Sequence, residues 1–234
     1  MKKVCVLFGG NSSERKVSLK SGKFIHESLL KNGFKSSLID YRGLIELEKL
    51  KDFDLVFIAL HGWEGESGIL QSKMEKAGIN YTGSDFEACK NSWDKKICKN
   101  ILRQHNLPTP DFLVYETFQK IIESKNKIEK QFQEGAFIKP SEEGSSIDII
   151  KVEDFSKCDL QKTKVNLVDG DREFLVERFI EGREFTVGFL NDQILEPLEI
   201  ITKREFYDYE AKYDDDDTQI IRAHLGEKDL HTLK

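Results

Sequence analysis

The sequence lacks any long apolar run and any paired-cysteine motif. Its four cysteines show neither a Cys-x-x-Cys pair nor the Cys/His spacing of a metal site. Such a set is typical of reduced thiols in a cytosolic protein. The apolar run Leu55–Leu60 cannot cross a bilayer, and the run Val4–Phe8 is too short for a signal peptide. We therefore expect a cytoplasmic protein without a membrane partner.

The sequence also lacks a cluster of positive charge. Lys and Arg number 36 against 42 Asp and Glu, which gives a formal net charge of −6. This balance argues against a nucleic-acid partner, but it leaves room for a local basic pocket that binds phosphates. Apolar residues make up only 38%, yet 16 Phe still supply material for a core. We expect a folded protein.

The first 90 residues alternate apolar strands with helical patterns. Val4–Phe8 and Asp54–Leu60 are typical of buried strands, and each is followed directly by a glycine-containing turn. Strands of this kind, alternating with helices, indicate a parallel sheet. Ligands bind such sheets beyond the carboxyl ends of the strands. The stretches GGNSSE and HGWEGESG, which lie at those ends, are therefore predicted to share one pocket.

The rest of the chain predicts mixed α+β structure with hairpins. We expect one helix over 87–105 and another over 117–133, and the stretch AFIKPSEEGSSIDIIKV reads as strand, loop and strand. The predicted fold class is α/β: a parallel-sheet, Rossmann-like domain over 1–90 precedes α+β domains over 91–175 and 176–234. The last domain is expected to be incomplete.

Some residues near the first turn have two interpretations when taken alone. Glu14 begins a helix, where a carboxylate is more readily a cap than a ligand-binding group. His61 is equally a structural histidine or a substrate contact. Glu64 and Glu66 are expected to lie in solvent.

The same holds for the later polar residues. Lys139 and the Gly-Ser-Ser of 144–146 suit a phosphate-binding loop, or else a solvated hairpin turn. Lys95 by itself is a surface lysine. Glu177 and Glu184 are either solvent-side strand residues or acceptors for a base and a sugar.

Seven stretches carry a resemblance over nearly the whole of Lys3 to Gln219. In chain order they are VLFGGNSSERKVSLKSG, ALHGWEGESGILQ, INYTGSD, WDKKICKNIL, FIKPSEEGSS, LVERFIEGREFTVGFL and FYDYEAKY. Together they resemble D-alanine–D-alanine ligases of the ATP-grasp superfamily. The resemblance implies that the second and third domains are ATP-grasp domains.

The resemblance also implies a reaction. ATP phosphorylates the carboxylate of one D-alanine, and the amine of a second attacks the acyl phosphate to give D-alanyl-D-alanine for peptidoglycan precursors. The partners would be small molecules, ATP and D-alanine, with Mg²⁺ or Mn²⁺ as the expected metal. Ligases of this family are often dimers, and a homodimer is left open.

Site residues follow from the same resemblance. Glu14 would bind the ammonium of the first D-alanine, with His61 beside it. Ser145 would hydrogen-bond towards Glu14 and Tyr213, and Tyr213 would form a mobile-loop pair with Lys212. The residues implied to bind ATP are Lys95 and Lys139 at the phosphates, Glu177, Arg178, Phe179 and Ile180 at the adenine, Glu184 at the ribose, and Lys212.

The sequence departs from the family pattern at three positions. Lys16 replaces an acidic residue, Trp63 a polar or basic one, and Asp148 a glycine. The replacements at Lys16 and Trp63 are expected to be tolerated, because these residues would lie at the rim of the site. Asp148 adds negative charge near the Gly-Ser-Ser loop, and it is expected to weaken loop closure unless it points away.

The end of the chain departs further. Nothing after Gln219 matches the family's metal-binding Asp, Glu and Asn or its late arginine, so no metal ligand is expected up to Lys234. The resemblance thus implies a truncated ligase that is inactive or nearly so. The alternatives are a non-catalytic nucleotide-binding remnant, or another ATP-grasp carboxylate–amine ligase.

Overall fold

A computed structural model describes residues 1–43, 46–164, 172–213 and 215–233. Within these ranges the strands are β1 (Lys3–Gly9), β2 (Lys35–Tyr41), β3 (Leu55–Ile58), β4 (Phe112–Tyr115), β5 (Ala136–Pro140), β6 (Ile150–Val152), β7 (Phe174–Arg178), β8 (Glu184–Thr186), β9 (Phe189–Leu190), β10 (Gln193–Ile194), β11 (Leu198–Ile201) and β12 (Gln219–Arg222). The helices are α1 (Arg15–Lys31), α2 (Leu47–Leu50), α3 (Trp63–Glu66), α4 (Ile69–Ala77), α5 (Phe86–Trp93), α6 (Lys95–Gln104), α7 (Phe118–Glu123), α8 (Lys125–Gln131), α9 (Leu160–Lys164), α10 (Tyr209–Tyr213) and α11 (Glu227–Leu233).

The chain divides into two compact units. The first unit contains Met1–Gly144 and Asp148–Arg178, and the second contains Ser145–Ile147 and Phe179–Lys234. The boundaries of these two units differ from those of the three predicted domains, and compactness of the backbone does not by itself define a domain. The three domains over 1–90, 91–175 and 176–234 therefore stay a prediction.

The N-terminal sheet of the first unit is parallel, with strand order β2-β1-β3. All residues of the central strand β1 except Lys3 are buried. Cys5 and Leu7 pack into one apolar cluster, while Val6 and Phe8 pack into another. Because side chains alternate across a strand, both faces of β1 are covered, which explains its unbroken apolar run.

Two predicted long helices are each broken into two. The pattern over 87–105 forms α5 and α6, since Asp94 accepts hydrogen bonds from the backbone N–H groups of Lys96 at 2.8 Å and Ile97 at 3.2 Å. The pattern over 117–133 forms α7 and α8, with the break at Ser124. Asp favours helix starts over helix interiors, because its side chain binds nearby backbone N–H groups, whereas Ser124 makes no side-chain capping bond to α8.

A second sheet of the first unit is antiparallel, with strand order β4-β7-β5-β6. The predicted strand–loop–strand stretch is confirmed as the hairpin of β5 and β6. Ile138 of β5 and Phe174 and Val176 of β7 are buried in one cluster with Phe118 of α7. This core fixes the strand ends from which Lys139 and Glu177 project.

The second unit contains an antiparallel sheet of order β12-β11-β8 and the short hairpin of β9 and β10. Lys212 and Tyr213, expected in a mobile loop, lie in α10. That helix begins where Asp208 accepts a hydrogen bond from the Ala211 N–H at 2.8 Å. No helix in the described ranges is both long and apolar enough to span a membrane.

Gly22 of α1 provides a test of how the first helix packs on β1. A Cβ at this position would lie 2.5 Å from the Cβ of Phe8, which is itself buried. Alanine favours a helix over glycine by about 1 kcal/mol, but overpacking a core costs about 1–3 kcal/mol. We expect Gly22→Ala to lower the free energy of unfolding, measured by urea denaturation. Gly226→Ala, where a Cβ meets nothing within 4 Å, is the control, and an equal response would contradict this packing.

Candidate functional site

The turn after β1 is held by hydrogen bonds from neighbouring elements. Gly9 and Gly10 have φ values of 88° and 80°, in the left-handed region that glycine adopts readily. The Gly9 N–H donates to the hydroxyl of Ser18 at 2.8 Å, and the Gly10 N–H donates to the carbonyl of Tyr41 at 2.9 Å. Ser18 in turn donates to the carbonyl of Ala59, at the end of β3, at 2.6 Å. The turn is thus tied to α1, β2 and β3.

Glu64 is buried against the same turn, so its expected place in solvent is wrong. It is 3% exposed, and its carboxylate accepts the Asn11 N–H and lies 3.4 Å from the Asn11 side-chain nitrogen. A buried carboxylate is tolerated where it accepts hydrogen bonds. The sequence does contain a signal for this burial, because Glu64 lies between Gly62 and Gly65 shortly after the apolar run Leu55–Leu60.

Arg15 and Asp40 form an ion pair that also holds the turn, and the sequence analysis did not predict it. Arg15 Nη1 donates to the Gly10 carbonyl at 2.8 Å, and its two terminal nitrogens donate to the two carboxylate oxygens of Asp40 at 2.8 and 2.7 Å. Hydrogen bonding to Arg15 holds the pKa of Asp40 below its usual value. The available signal was that Asp40 lies near the end of β2, at the same sheet edge as the turn.

Glu14 is buried and does not cap α1. It stands at the N-cap position without a side-chain capping bond and is only 2% exposed. A Cβ at Gly62 would lie 3.2 Å from its Oε2, and one at Gly144 would lie 3.4 Å away. The capping interpretation is therefore wrong, and the carboxylate faces two glycine-containing segments.

His61 lies close to this turn. Its Nε2 is 3.3 Å from the hydroxyl of Ser21, and its Nδ1 is 3.9 Å from Oε1 of the partly exposed Glu66. The carbonyl of His61 accepts a hydrogen bond from Ser12 at 2.8 Å. The stretches GGNSSE and HGWEGESG are thus in contact, and that they share one pocket stays a prediction.

Lys139 and Lys99 converge on one carboxylate of Glu177. Both ammonium groups lie 2.5 Å from it. Burial raises the pKa of Glu177, but the two lysines outweigh burial and hold that pKa below its usual value. Lys99 is only 8% exposed in its side chain, and the sequence did not single it out, since it belongs to the same polar helical pattern as Lys95 and Lys96.

Lys95 is partly buried, so its interpretation as a surface lysine is wrong. Its Nζ donates to the carbonyl of Glu143 at 2.5 Å and lies 3.4 Å from that of Ser141. Burial, followed by repulsion from Lys139, lowers the pKa of Lys95 to about 8. The lysine is thus directed at the loop between β5 and β6.

In the second unit, Ser145 and Tyr213 are joined through their hydroxyl oxygens at 2.9 Å. Lys212 donates to the hydroxyl of Ser146 at 2.8 Å, and Ser146 donates to the carbonyl of Tyr207 at 3.0 Å. The predicted contact of Ser145 with Tyr213 is therefore present. Its contact with Glu14 stays a prediction.

The residues expected at the adenine and ribose follow one another at the end of β7 and in β8. Arg178 ends β7, Phe179 and Ile180 come next, and Glu184 begins β8. Ile180 is 54% exposed. Their roles stay predictions.

The described residues do not fit a bound metal ion. In residues 1–43, 46–164, 172–213 and 215–233, no group of three or more His, Cys, Asp and Glu side chains is arranged to hold one. We therefore assign no chemical step to Mg²⁺ or Mn²⁺.

Residues 101–234 match the family model described as the D-Ala D-Ala ligase C-terminus. A D-alanine–D-alanine ligase of Haemophilus ducreyi is 40% identical over 235 residues, which cover 99% of this chain and 76% of that protein. The chain belongs to the D-alanine–D-alanine ligase family. A relative from a Marinomonas species is 36% identical and covers 99% of this chain and 74% of its own length.

Solved ligase structures have the same fold. D-alanyl-alanine synthetase A from Vibrio cholerae superposes with a TM-score of 0.82 at 26% identity, covering 99% of this chain and 78% of that one. A D-alanine–D-alanine ligase from Bacillus anthracis complexed with ATP gives a TM-score of 0.76 at 28% identity, covering 97% and 72%. The α/β fold with mixed sheets is therefore that of the ligase family.

The burial of Glu64 gives a prediction for the first turn. Glu64→Ala should lower the free energy of unfolding by about 1–3 kcal/mol, because the Asn11 N–H loses its acceptor in a partly buried place. Glu64→Gln keeps an oxygen acceptor and should cost less. Urea denaturation measures both, with the exposed Glu48→Ala as the control. Equal stability of the Glu64→Ala and Glu48→Ala variants would show that Glu64 does not hold the turn.

Proposed function

We propose that this protein is an ATP-dependent ligase that joins two D-alanines through an acyl phosphate and so supplies peptidoglycan precursors. Membership of the ligase family supports this reaction, and the placement of Glu14 is the observation that carries it. A carboxylate that is 2% exposed beside two glycine-containing segments suits a small amino acid whose ammonium pairs with it.

In this proposal Glu14 binds the ammonium of the first D-alanine, and His61 lies in the same subsite. The hydrogen bonds around Gly9, Gly10 and Asn11 keep Glu14 in place before the substrate arrives. Such preorganisation lowers the entropic cost of positioning the substrate for reaction.

Lys95 and Lys139 are proposed to bind the phosphates of ATP. Each is directed by a neighbour, Lys95 by the Glu143 carbonyl and Lys139 by the Glu177 carboxylate. The positive charge of both would stabilise the charge that develops on the transferred phosphoryl group. Glu177, which accepts a hydrogen bond from Lys139 at 2.5 Å, is proposed to line the adenine with Arg178, Phe179 and Ile180.

The remaining assignments belong to the same proposal. Glu184 would contact the ribose, Lys212 would bind ATP, and Ser145 and Tyr213 would complete the closed site. The Ser145–Tyr213 hydrogen bond supports this. We further propose a Rossmann-like domain over 1–90 followed by ATP-grasp domains over 91–175 and 176–234, in a cytoplasmic protein with small-molecule partners.

Turnover and Glu14 can be tested in one assay. With ATP, magnesium and D-alanine, any phosphate release should depend on D-alanine, and release without that dependence would contradict the ligase proposal. The near-inactivity expected of this chain stays a prediction, which robust turnover would refute, and ATP binding without turnover would favour a non-catalytic nucleotide-binding remnant. Glu14→Gln should raise the KM for D-alanine about tenfold or more while changing that for ATP little, because only the ammonium loses its ion pair. Glu48→Gln is the control. Equal changes for both substrates would assign Glu14 a structural role.

The low pKa of Lys95 predicts a pH dependence of ATP binding. Below its pKa of about 8, the ammonium is charged and attracts phosphate, and above that pH the charge is lost. ATP affinity, measured by calorimetry, should therefore fall as the pH rises from about 7 to about 9.

Two variants test whether Lys95 causes this fall. Lys95→Met should weaken binding and remove the step near pH 8. Lys96→Met changes the adjacent residue, whose ammonium pairs with Glu173 at 2.6 Å, and should keep the step. A step that persists in Lys95→Met would assign it to another group.

A further inference from the structure

Arg172 contacts two acidic residues of the β5–β6 loop, which we define as residues 141–149. Its Nη2 pairs with the carboxylate of Asp148, and its Nη1 lies 3.9 Å from Oε2 of Glu143. The Arg172 and Asp148 side chains are only 22% and 11% exposed. Water and salt therefore screen this pair weakly. Arg172 lies against both ends of the four-residue segment 144–147.

The backbone around this segment has a conformation that side chains disfavour. The φ values are 50° at Ser145, 60° at Ser146 and 53° at Asp148. Residues other than glycine adopt this left-handed region at a cost, although Asp and Asn tolerate it best. Contacts must hold the loop in this shape, and Arg172 provides one at Asp148.

The two carboxylates of Glu143 and Asp148 also favour a cation between them, a position that Arg172 occupies. Burial raises the pKa of the Glu143 carboxyl, Asp148 raises it further, and Arg172 and Lys95 oppose the rise. The two carboxylates repel each other, so loss of Arg172 would favour their separation. Separation would open the base of the loop.

The position of Glu143 matters for Lys95. The carbonyl of Glu143 is the acceptor for Lys95 Nζ at 2.5 Å. A displacement of Glu143 would therefore remove the group that directs the lysine. The ring of Phe174, 5.3 Å from the guanidinium carbon, fixes Arg172 from the side of the core.

We propose that Arg172 is a positioning residue for the β5–β6 loop, which it holds through Asp148 and Glu143 so that Lys95 stays directed at the Glu143 carbonyl. Asp148, expected to weaken the loop by its charge, serves as the anchor instead. The consequence for ATP rests on the proposed function. The position of the loop can be measured without ATP.

Trp93 reports on the loop, because a Cβ at Gly144 would lie 3.7 Å from its ring. Trp63→Phe removes the other tryptophan of the chain, and acrylamide quenching then measures the exposure of Trp93 alone. In this background, Arg172→Met and Asp148→Asn should each raise the quenching constant about twofold. They should each weaken ATP binding about fivefold, and the double variant should be no worse than the more affected single variant.

Glu173→Gln is the matched control, since it breaks the ion pair of the adjacent residue with Lys96 and leaves the loop contacts in place. Its quenching should equal that of the parent. Unchanged quenching in both single variants, or effects that add in the double variant, would overturn the proposal. If Arg172→Met fails to fold, Asp148→Asn decides, because asparagine keeps the shape and tolerates the backbone conformation. Raised quenching in a protein that does not bind ATP would support the loop contact and contradict the nucleotide role.

Discussion

The backbone N–H groups of the turn after β1 impose the constraint on which the site depends. A chain that leaves the carboxyl end of a parallel sheet and turns into a helix has backbone N–H groups that need acceptors beyond the regular pairing of the strands. Here Gly9 donates to Ser18, Gly10 to the Tyr41 carbonyl and Asn11 to Glu64. These acceptors come from α1, β2 and α3, so the turn has its shape only when all three elements pack. The position of Glu14, at the end of this turn, follows from that packing.

Buried charge, more than surface charge, determines the arrangement of the polar groups. Exposed ion pairs such as Lys120 with Glu123 contribute little to stability, whereas a buried charge left without a partner costs several kcal/mol. Two buried carboxylates have such partners. Glu64 accepts a hydrogen bond from the turn, and Glu177 pairs with two lysines. A protein with a net charge of −6 can thus keep a local cluster of lysines suited to phosphates.

The sequence predicted those features that local pattern determines. The unbroken apolar run of β1 predicted a buried parallel strand, and the β5–β6 hairpin followed from its strand–loop–strand pattern. The helix breaks at Asp94 and Ser124 were missed because the periodicity of apolar residues continues through them, and at Asp94 the break depends on a single capping side chain. The burial of Glu64 and Lys95 could not be predicted either, since a charged residue becomes buried through contacts with segments distant in the sequence. Local position favoured a cap for Glu14, whereas the resemblance to the ligases implied a substrate-binding group, and that role stays a prediction.

The turn after β1 and the β5–β6 loop both contain residues with left-handed backbone conformation, but different residue types adopt it. The turn after β1 uses glycine at its left-handed positions, so it needs only acceptors for its N–H groups. The β5–β6 loop places Ser145, Ser146 and Asp148 in that region, where each residue other than glycine costs about 1–2 kcal/mol. Hydrogen bonds of the serines and the ion pair of Asp148 with Arg172 offset this cost. A loop held by side chains in this way can respond to charge, and the proposed binding of ATP phosphates at Lys95 and Lys139 would bring negative charge close to it.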